Sequence, residues 1–152
     1  STLTALGLKK INQVVEHNNS KQIQGYDQLP NKGDLCIIAS SLKDVMCLFE
    51  MGISAVAMQS EMQLPLRSTI EELKQRFKQV AVFYDNDFTN PNNPGQTMAE
   101  KICDKYKLVN VCIPDSLQSK DISDLIKNHS LHIAKTFITN SLPHEISLLH
   151  RP

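Results

Sequence analysis

The stretch Val80-Ala81-Val82-Phe83-Tyr84-Asp85-Asn86-Asp87 decides how this chain is read. Its first five residues are apolar or aromatic, without polar alternation, and they run into two acids spaced i, i+2. A short run of this kind marks a strand buried on both faces, as in a parallel sheet. In open parallel sheets the ligand crevice lies outside the carboxyl ends of the strands. Asp85 and Asp87 therefore fall where a site is expected. Two residues apart at a strand end, both carboxylates can lean to one side and share a hard cation such as magnesium. The plainer alternative is a turn. Asp and Asn are turn formers, and Asn90-Pro91-Asn92-Asn93-Pro94-Gly95 continues as a loop.

Working outward, the same pattern repeats. Leu35-Cys36-Ile37-Ile38-Ala39 is a short apolar strand. Ser40-Ser41 follows as a helix N-cap signal, with Lys43-Asp44 in the first turn and Val45, Leu48 and Phe49 on an apolar face. Gly52 closes that helix. Ile53 to Met58 reads as the next strand and ends at Gln59-Ser60-Glu61. Leu66 to Phe77 has the spacing of an amphipathic helix, with Ile70, Leu73 and Phe77 facing in. After the Val80 strand, Gly95 to Tyr106 is helical, with Met98, Ile102 and Tyr106 inside, and Leu108 to Ile113 is a further strand stopped by Pro114. Lys120-Asp121-Ile122-Ser123-Asp124 opens a short helix, and Leu131 to Ile138 gives another. Alternating strands and helices predict an α/β domain with a mostly parallel, four-stranded sheet flanked by helices and joined by right-handed crossovers. The expected organisation is a polar connector over 1–33, a domain over 34–128, and a C-terminal helix and tail over 129–152. Within the connector, Leu3 to Glu16 has helical spacing.

Composition narrows the function. The chain has 152 residues and 41% hydrophobic content, enough for one domain with a core. Lys+Arg 16 equals Asp+Glu 16, so there is no global basic field to hold a nucleic-acid backbone, and contact with nucleic acid would need a local patch. No apolar run reaches the roughly 18 residues of a membrane span. Cys36, Cys47, Cys103 and Cys112 are far apart and form no CxxC pair, which points to buried thiols in a reducing, cytoplasmic setting. Aromatics are 5% with no Trp, a poor base-stacking platform. The five histidines, His17, His129, His132, His144 and His150, lie mostly in polar or terminal segments and are assigned no ligand role.

If the strands are parallel, their ends share one sheet edge. That edge would gather Ser40 and Asp44, Glu61, Asp85 and Asp87, and Lys120, Asp121 and Asp124. Crowded carboxylates repel one another and raise their pKa values unless a cation is present. An oxygen-only acid cluster without His or Cys favours magnesium or manganese over zinc. Such a cluster suits phosphoryl transfer, with Lys43, Lys120 and Ser40 available to phosphate or nucleic acid at the rim. Each member also has a structural reading. Asp44 suits a helix N-terminus, Asp121 and Asp124 suit a cap and first turn, and the lysines suit a solvated surface.

The ordered set Gln24-Gly25-Tyr26 to Leu29-Pro30, Ser40-Ser41-Leu42-Lys43-Asp44-Val45-Met46, Gln59-Ser60-Glu61, Tyr84-Asp85-Asn86-Asp87 and Lys120-Asp121-Ile122-Ser123-Asp124 resembles the Toprim domain, most closely that of bacteriophage-type DNA primases and primase-helicases. The likeness covers about residues 24–128. It implies a Toprim-like fold and magnesium-dependent nucleotidyl transfer that makes RNA primers on a DNA template, by a chain inactive as an isolated domain. Ribonucleotides and a replicative helicase or helicase domain would be its partners, in a bacterial or phage-infected cell. It implies metal binding by Asp85, Asp87, Asp121 and Asp44. Where the family usually has Glu-Gly, this chain has Ser40-Ser41. Either Glu61 supplies the missing carboxylate, so that Glu61, Asp85 and Lys43 carry catalysis and Glu61 joins the metal ligands, or the site is a degenerate binding or scaffold domain.

A third reading is a haloacid-dehalogenase-type phosphatase, because Asp85-Asn86-Asp87-Phe88-Thr89 fits an Asp-x-Asp-x-Thr nucleophile motif. That motif should close the first core strand, and here two strands precede it. A receiver-type domain ranks lower still, because it needs a lone phosphorylatable Asp.

Overall fold

The computed structural model describes residues 23–143. The helix expected over Leu3 to Glu16 and the tail beyond residue 143 lie outside the described residues, as do His17, His144 and His150. Five strands form one sheet: β1 (Ile23–Gln24), β2 (Gly33–Ala39), β3 (Ser54–Met58), β4 (Phe77–Phe83) and β5 (Val109–Asn110). Five α-helices accompany them: α1 (Leu42–Glu50), α2 (Arg67–Arg76), α3 (Pro94–Tyr106), α4 (Ile122–Asn128) and α5 (Leu131–Asn140). The strand order is β1-β3-β2-β4-β5, and every pairing is parallel except β1 with β3. The fold is thus α/β with a mostly parallel sheet, as the alternation predicts. The strand added to the four expected is β1, which is two residues long and antiparallel, with no apolar run to announce it.

The central strands are apolar on both sides, and the sheet alternation divides them. Cys36, Ile38, Val56, Val80 and Val82 pack on one face, against Ile70 and Leu73 of α2 and Met98, Ala99 and Ile102 of α3. Ile37, Ala39, Ala55, Ala57, Ala81 and Phe83 pack on the other, against residues of α1, α4 and α5. Two covered faces explain why these strands carry continuous apolar runs instead of a polar alternation.

Four local expectations change. Phe77 is buried, but it is the first residue of β4 and not the last of a helix. α2 passes straight into the strand, with Phe77 at φ −122° and ψ 141°. Phe49 is 48% exposed, because it sits one residue beyond Leu48 and off the buried stripe. The strand read over Leu108 to Ile113 pairs only at Val109 and Asn110, after which Val111 N–H donates one further bond to the Val82 carbonyl. Cys36 and Cys103 are buried and Cys47 is half-buried, whereas Cys112 is exposed, so it departs from the expected burial. No described helix is long and apolar enough to cross a membrane.

The strand order places a crevice. From β2 the chain leaves through α1 on one face to β3. From β4 it leaves through α3 on the other face to β5. Neighbouring strands whose crossovers depart in opposite directions leave a gap at their carboxyl ends, the topological switch point. The parallel register Ile38↔Val82 and Ala39↔Phe83 brings Ser40 and Asp85 out of the sheet side by side at that gap.

Candidate active site at the carboxyl ends of the strands

Ser40 joins the two sides of the crevice. Its Oγ lies 2.7 Å from Asp85 Oδ1 and 2.9 Å from Asp44 Oδ2. Ser41 caps α1: its Oγ accepts from the Asp44 N–H at 3.3 Å and donates to Asp44 Oδ2 at 3.0 Å. The N-cap reading of Ser40-Ser41 is therefore met by Ser41, which leaves Ser40 free to reach across the switch point.

These contacts hold three carboxyl groups close together. Asp44 is 4% exposed, and its Oδ1 is buried without a hydrogen-bond partner. Burial first, then the negative charges of Asp85 and Asp121, push its carboxyl up to about 6. Asp85 is raised by burial, against the Ser40 hydrogen bond and the positive charges of Lys120 and Lys43. Glu61 is raised by burial and then by Asp85, while the Asp85 backbone N–H and the Ser40 hydroxyl favour its charged form. A serine hydroxyl has one hydrogen, which serves either Asp44 or Asp85 but not both. Holding both short contacts takes a second proton, and below about pH 6 the Asp44 carboxyl carries it.

The other expected residues sit as follows. Asp121 is the N-cap of α4, its Oδ1 accepting from Asp124 N–H at 2.8 Å. Its Oδ2 is 3.9 Å from Lys43 Nζ, a loose pair with Lys43 63% exposed. Asp124 Oδ2 accepts from the Lys120 N–H at 3.3 Å, so the capping reading holds for both acids. Asp87 belongs to the loop: its Oδ1 accepts from Thr89 Oγ1 at 3.1 Å, and its N–H donates to Asn93 Oδ1 at 3.0 Å. The structure thus gathers Ser40, Asp44, Glu61, Asp85 and Asp121, with Lys43 and Lys120 at the rim. The contacts of Asp87 run into the loop instead of to Asp85.

Asp44, Asp85 and Asp121 line a narrow gap with Leu48, Phe83 and Ile122. The donors are all oxygen, and Asp44 Oδ1 is a buried carboxylate oxygen with its lone pairs unused. Both features suit a hard cation, which takes part of its shell from one or two carboxylates and the rest from water or substrate phosphate. Among the described residues, no group of three or more His, Cys, Asp and Glu side chains forms a ready metal cage. The fit is to a partial shell at most, in which Asp44 and Asp85 would hold the ion with Glu61 beside them.

Sequence reasoning passed over the residues that hold this edge in place. Asn86, the spacer between the two acids, is 4% exposed and hydrogen-bonded on every side. Gln96 donates to the Tyr84 and Asp85 carbonyls, each at 3.2 Å. Gly95 lies so close to Asp85 that a Cβ there would meet its carbonyl oxygen and Glu61 Oε2. A polar residue directly after a buried strand, and a glycine in a first helical turn, were the available signals.

Comparison with known proteins changes one expectation. A family model for ribosomal protein L30p/L7e matches residues 1–26, nearly all of them outside the described region. No curated protein and no solved structure matches the chain. The Toprim assignment is corrected on this ground: the family match is to a different family, at the opposite end from the acid motifs, and nothing places a Toprim domain on residues 24–128. The physical reason is that acids at the carboxyl ends of parallel strands are a general property of α/β sheets. Short motifs such as Asp-Asn-Asp therefore carry little family information, and Ser40-Ser41 lacks the glutamate that would have sharpened them.

Proposed function

We infer that the switch-point crevice binds a divalent cation of the magnesium or manganese type and carries out nucleotidyl transfer. Joining ribonucleotides on a DNA template, as in primer synthesis, is the specific form proposed, with a replicative helicase as the expected partner. The observation that carries this reading is the buried, unpartnered Asp44 Oδ1 beside Asp85 at the topological switch point. The bound cation would neutralise charge on phosphate oxygens. The chain's own groups do the remaining work. Ser40 fixes the Asp85 carboxylate. Glu61, with its raised pKa, is suited to exchange a proton with an attacking hydroxyl. Lys43 and Lys120 offer positive charge to phosphates at the rim.

A second reading is a binding or scaffold module without catalysis. It is favoured by the serine hydroxyls that already occupy the carboxylates and by the lack of a ready cage among the described residues.

Titration with magnesium and manganese, followed by calorimetry, tests the first reading. Saturable binding that Asp85→Asn abolishes and Glu61→Gln weakens is the expected result. Absence of binding by the wild-type protein overturns it and leaves the scaffold reading.

A further inference from the structure

We propose that Asn86 is the positioning residue of the crevice: its backbone N–H, bonded to Lys120, and its side-chain amide, bonded to Ile113, Asp115 and Asn93, together set the distance between the Asp85 carboxylate and the segment that runs from residue 113 to Asp121. The inference rests on the cation-site reading and deepens it. β5 pairs with β4 at two residues and Val111 N–H adds one bond to the Val82 carbonyl, so the ladder does not hold the chain that continues beyond residue 111 to α4. Asn86 takes over that task. Its backbone N–H donates to the Lys120 carbonyl at 2.8 Å. Its Nδ2 donates to the Ile113 carbonyl at 2.7 Å and to Asp115 Oδ1 at 2.9 Å. Its Oδ1 accepts from Asn93 Nδ2 at 2.7 Å. One buried amide thereby ties the end of β4 to the segment beyond β5 and to the N-cap of α3.

The behaviour of Asn93 supports this. An Asn at an N-cap ordinarily accepts from its own helix. Asn93 makes no such bond, stands in the left-handed region at φ 35°, and gives its side chain to Asn86 and to the Asp87 N–H. Only an amide at position 86 serves these partners: a carboxylate would face the Ile113 carbonyl and Asp115 as a third acceptor. Outer residues that orient metal ligands commonly change affinity ten- to a hundredfold when altered.

The test uses Mn2+ binding followed by electron paramagnetic resonance, together with amide hydrogen exchange. Asn86→Asp is expected to weaken Mn2+ binding about tenfold or more while melting remains cooperative. Adding Asp115→Asn, which restores a donor to face the new carboxylate, should recover part of the loss. Asn93→Ala removes one arm of the network and keeps the test open should Asn86→Asp fail to fold; a smaller loss of affinity is expected. Unchanged affinity in folded Asn86→Asp or Asn93→Ala overturns the proposal. Should the wild-type protein bind no Mn2+, the cation reading fails by itself and exchange decides the positioning role. Faster exchange in the variants confined to the Asn86 and Asp87 amides, which donate to the Lys120 carbonyl and to Asn93, supports it, and exchange at wild-type rates overturns it.

Discussion

The two edges of the sheet are built on opposite electrostatic principles. At the amino edge, charges are paired or spread over carbonyls. Asp34 and Lys78 form an exposed ion pair at 3.2 Å. Arg76 donates to the carbonyls of Leu29, Pro30 and Asn31 and lies over the Tyr26 ring, 5.5 Å from its centroid. At the carboxyl edge, Asp44, Asp85 and Glu61 crowd round one serine hydroxyl, burial raises all three pKa values, and one carboxylate oxygen has no partner. The amino edge stabilises the fold. The carboxyl edge sets carboxyl charge against the fold, the usual signature of a functional site.

The largest effect that should sharpen this contrast is at Asp44. Its folded pKa is about 6, above the roughly 3.9 of an unfolded Asp. The folded carboxyl holds its proton more tightly, so its contribution to stability is full below the unfolded value and is lost as pH rises through the folded one. The shift of about two units corresponds to about 3 kcal/mol. In urea melts without divalent cation, the wild-type protein should therefore lose stability as the pH rises from about 4 to about 6, with little further loss from this group above that. Asp44→Asn should lose much less and be the more stable of the two at pH 7.5. Saturating magnesium should narrow that gap, and a gap indifferent to pH would contradict the assignment.

Gly95→Ala comes next. Its Cβ would press on the Asp85 carbonyl oxygen, which is backbone and cannot turn away. A destabilisation of about 1–3 kcal/mol is expected from overpacking of this kind. A shift of the Asp85 and Glu61 side-chain resonances should accompany it. Full stability in that variant would mean that α3 can back away from the crevice.

At the amino edge the expected effects are smaller and independent of pH and magnesium. Arg76→Ala removes hydrogen bonds to three carbonyls and the contact with Tyr26, and should cost about 1–2 kcal/mol in a denaturant melt. Lys78→Ala should cost at most about 0.5 kcal/mol, because Lys78 is 55% and Asp34 43% exposed. A magnesium-dependent effect at either residue would break the division between the edges.

Much of this was legible in the residues themselves. Val80 to Phe83 reads as a strand buried on both faces, because no polar alternation interrupts it, and Leu35 to Ala39 as a short apolar strand; both form, with Val80 to Phe83 and Cys36 to Ala39 buried. Ser41 was legible as an N-cap and Asp44 as a first-turn acid. Asp85 was legible as a strand-end acid, whereas its separation from Asp87 was not. An i, i+2 spacing defines a common side only while the backbone stays extended, and here the loop bonds of Thr89 and Asn93 take Asp87 with them.

The amino-acid sequence by itself determined the alternation of elements, the two buried faces and the placing of acids at strand ends, because these follow from local hydrophobic periodicity. Tertiary structure alone decided the strand order β1-β3-β2-β4-β5 and hence which strand ends meet. It set Ser40 against Asp85, isolated Asp44 Oδ1, and made the buried Asn86 a junction of three segments. Residues 45 apart in the chain become hydrogen-bond partners only when the sheet register brings them together.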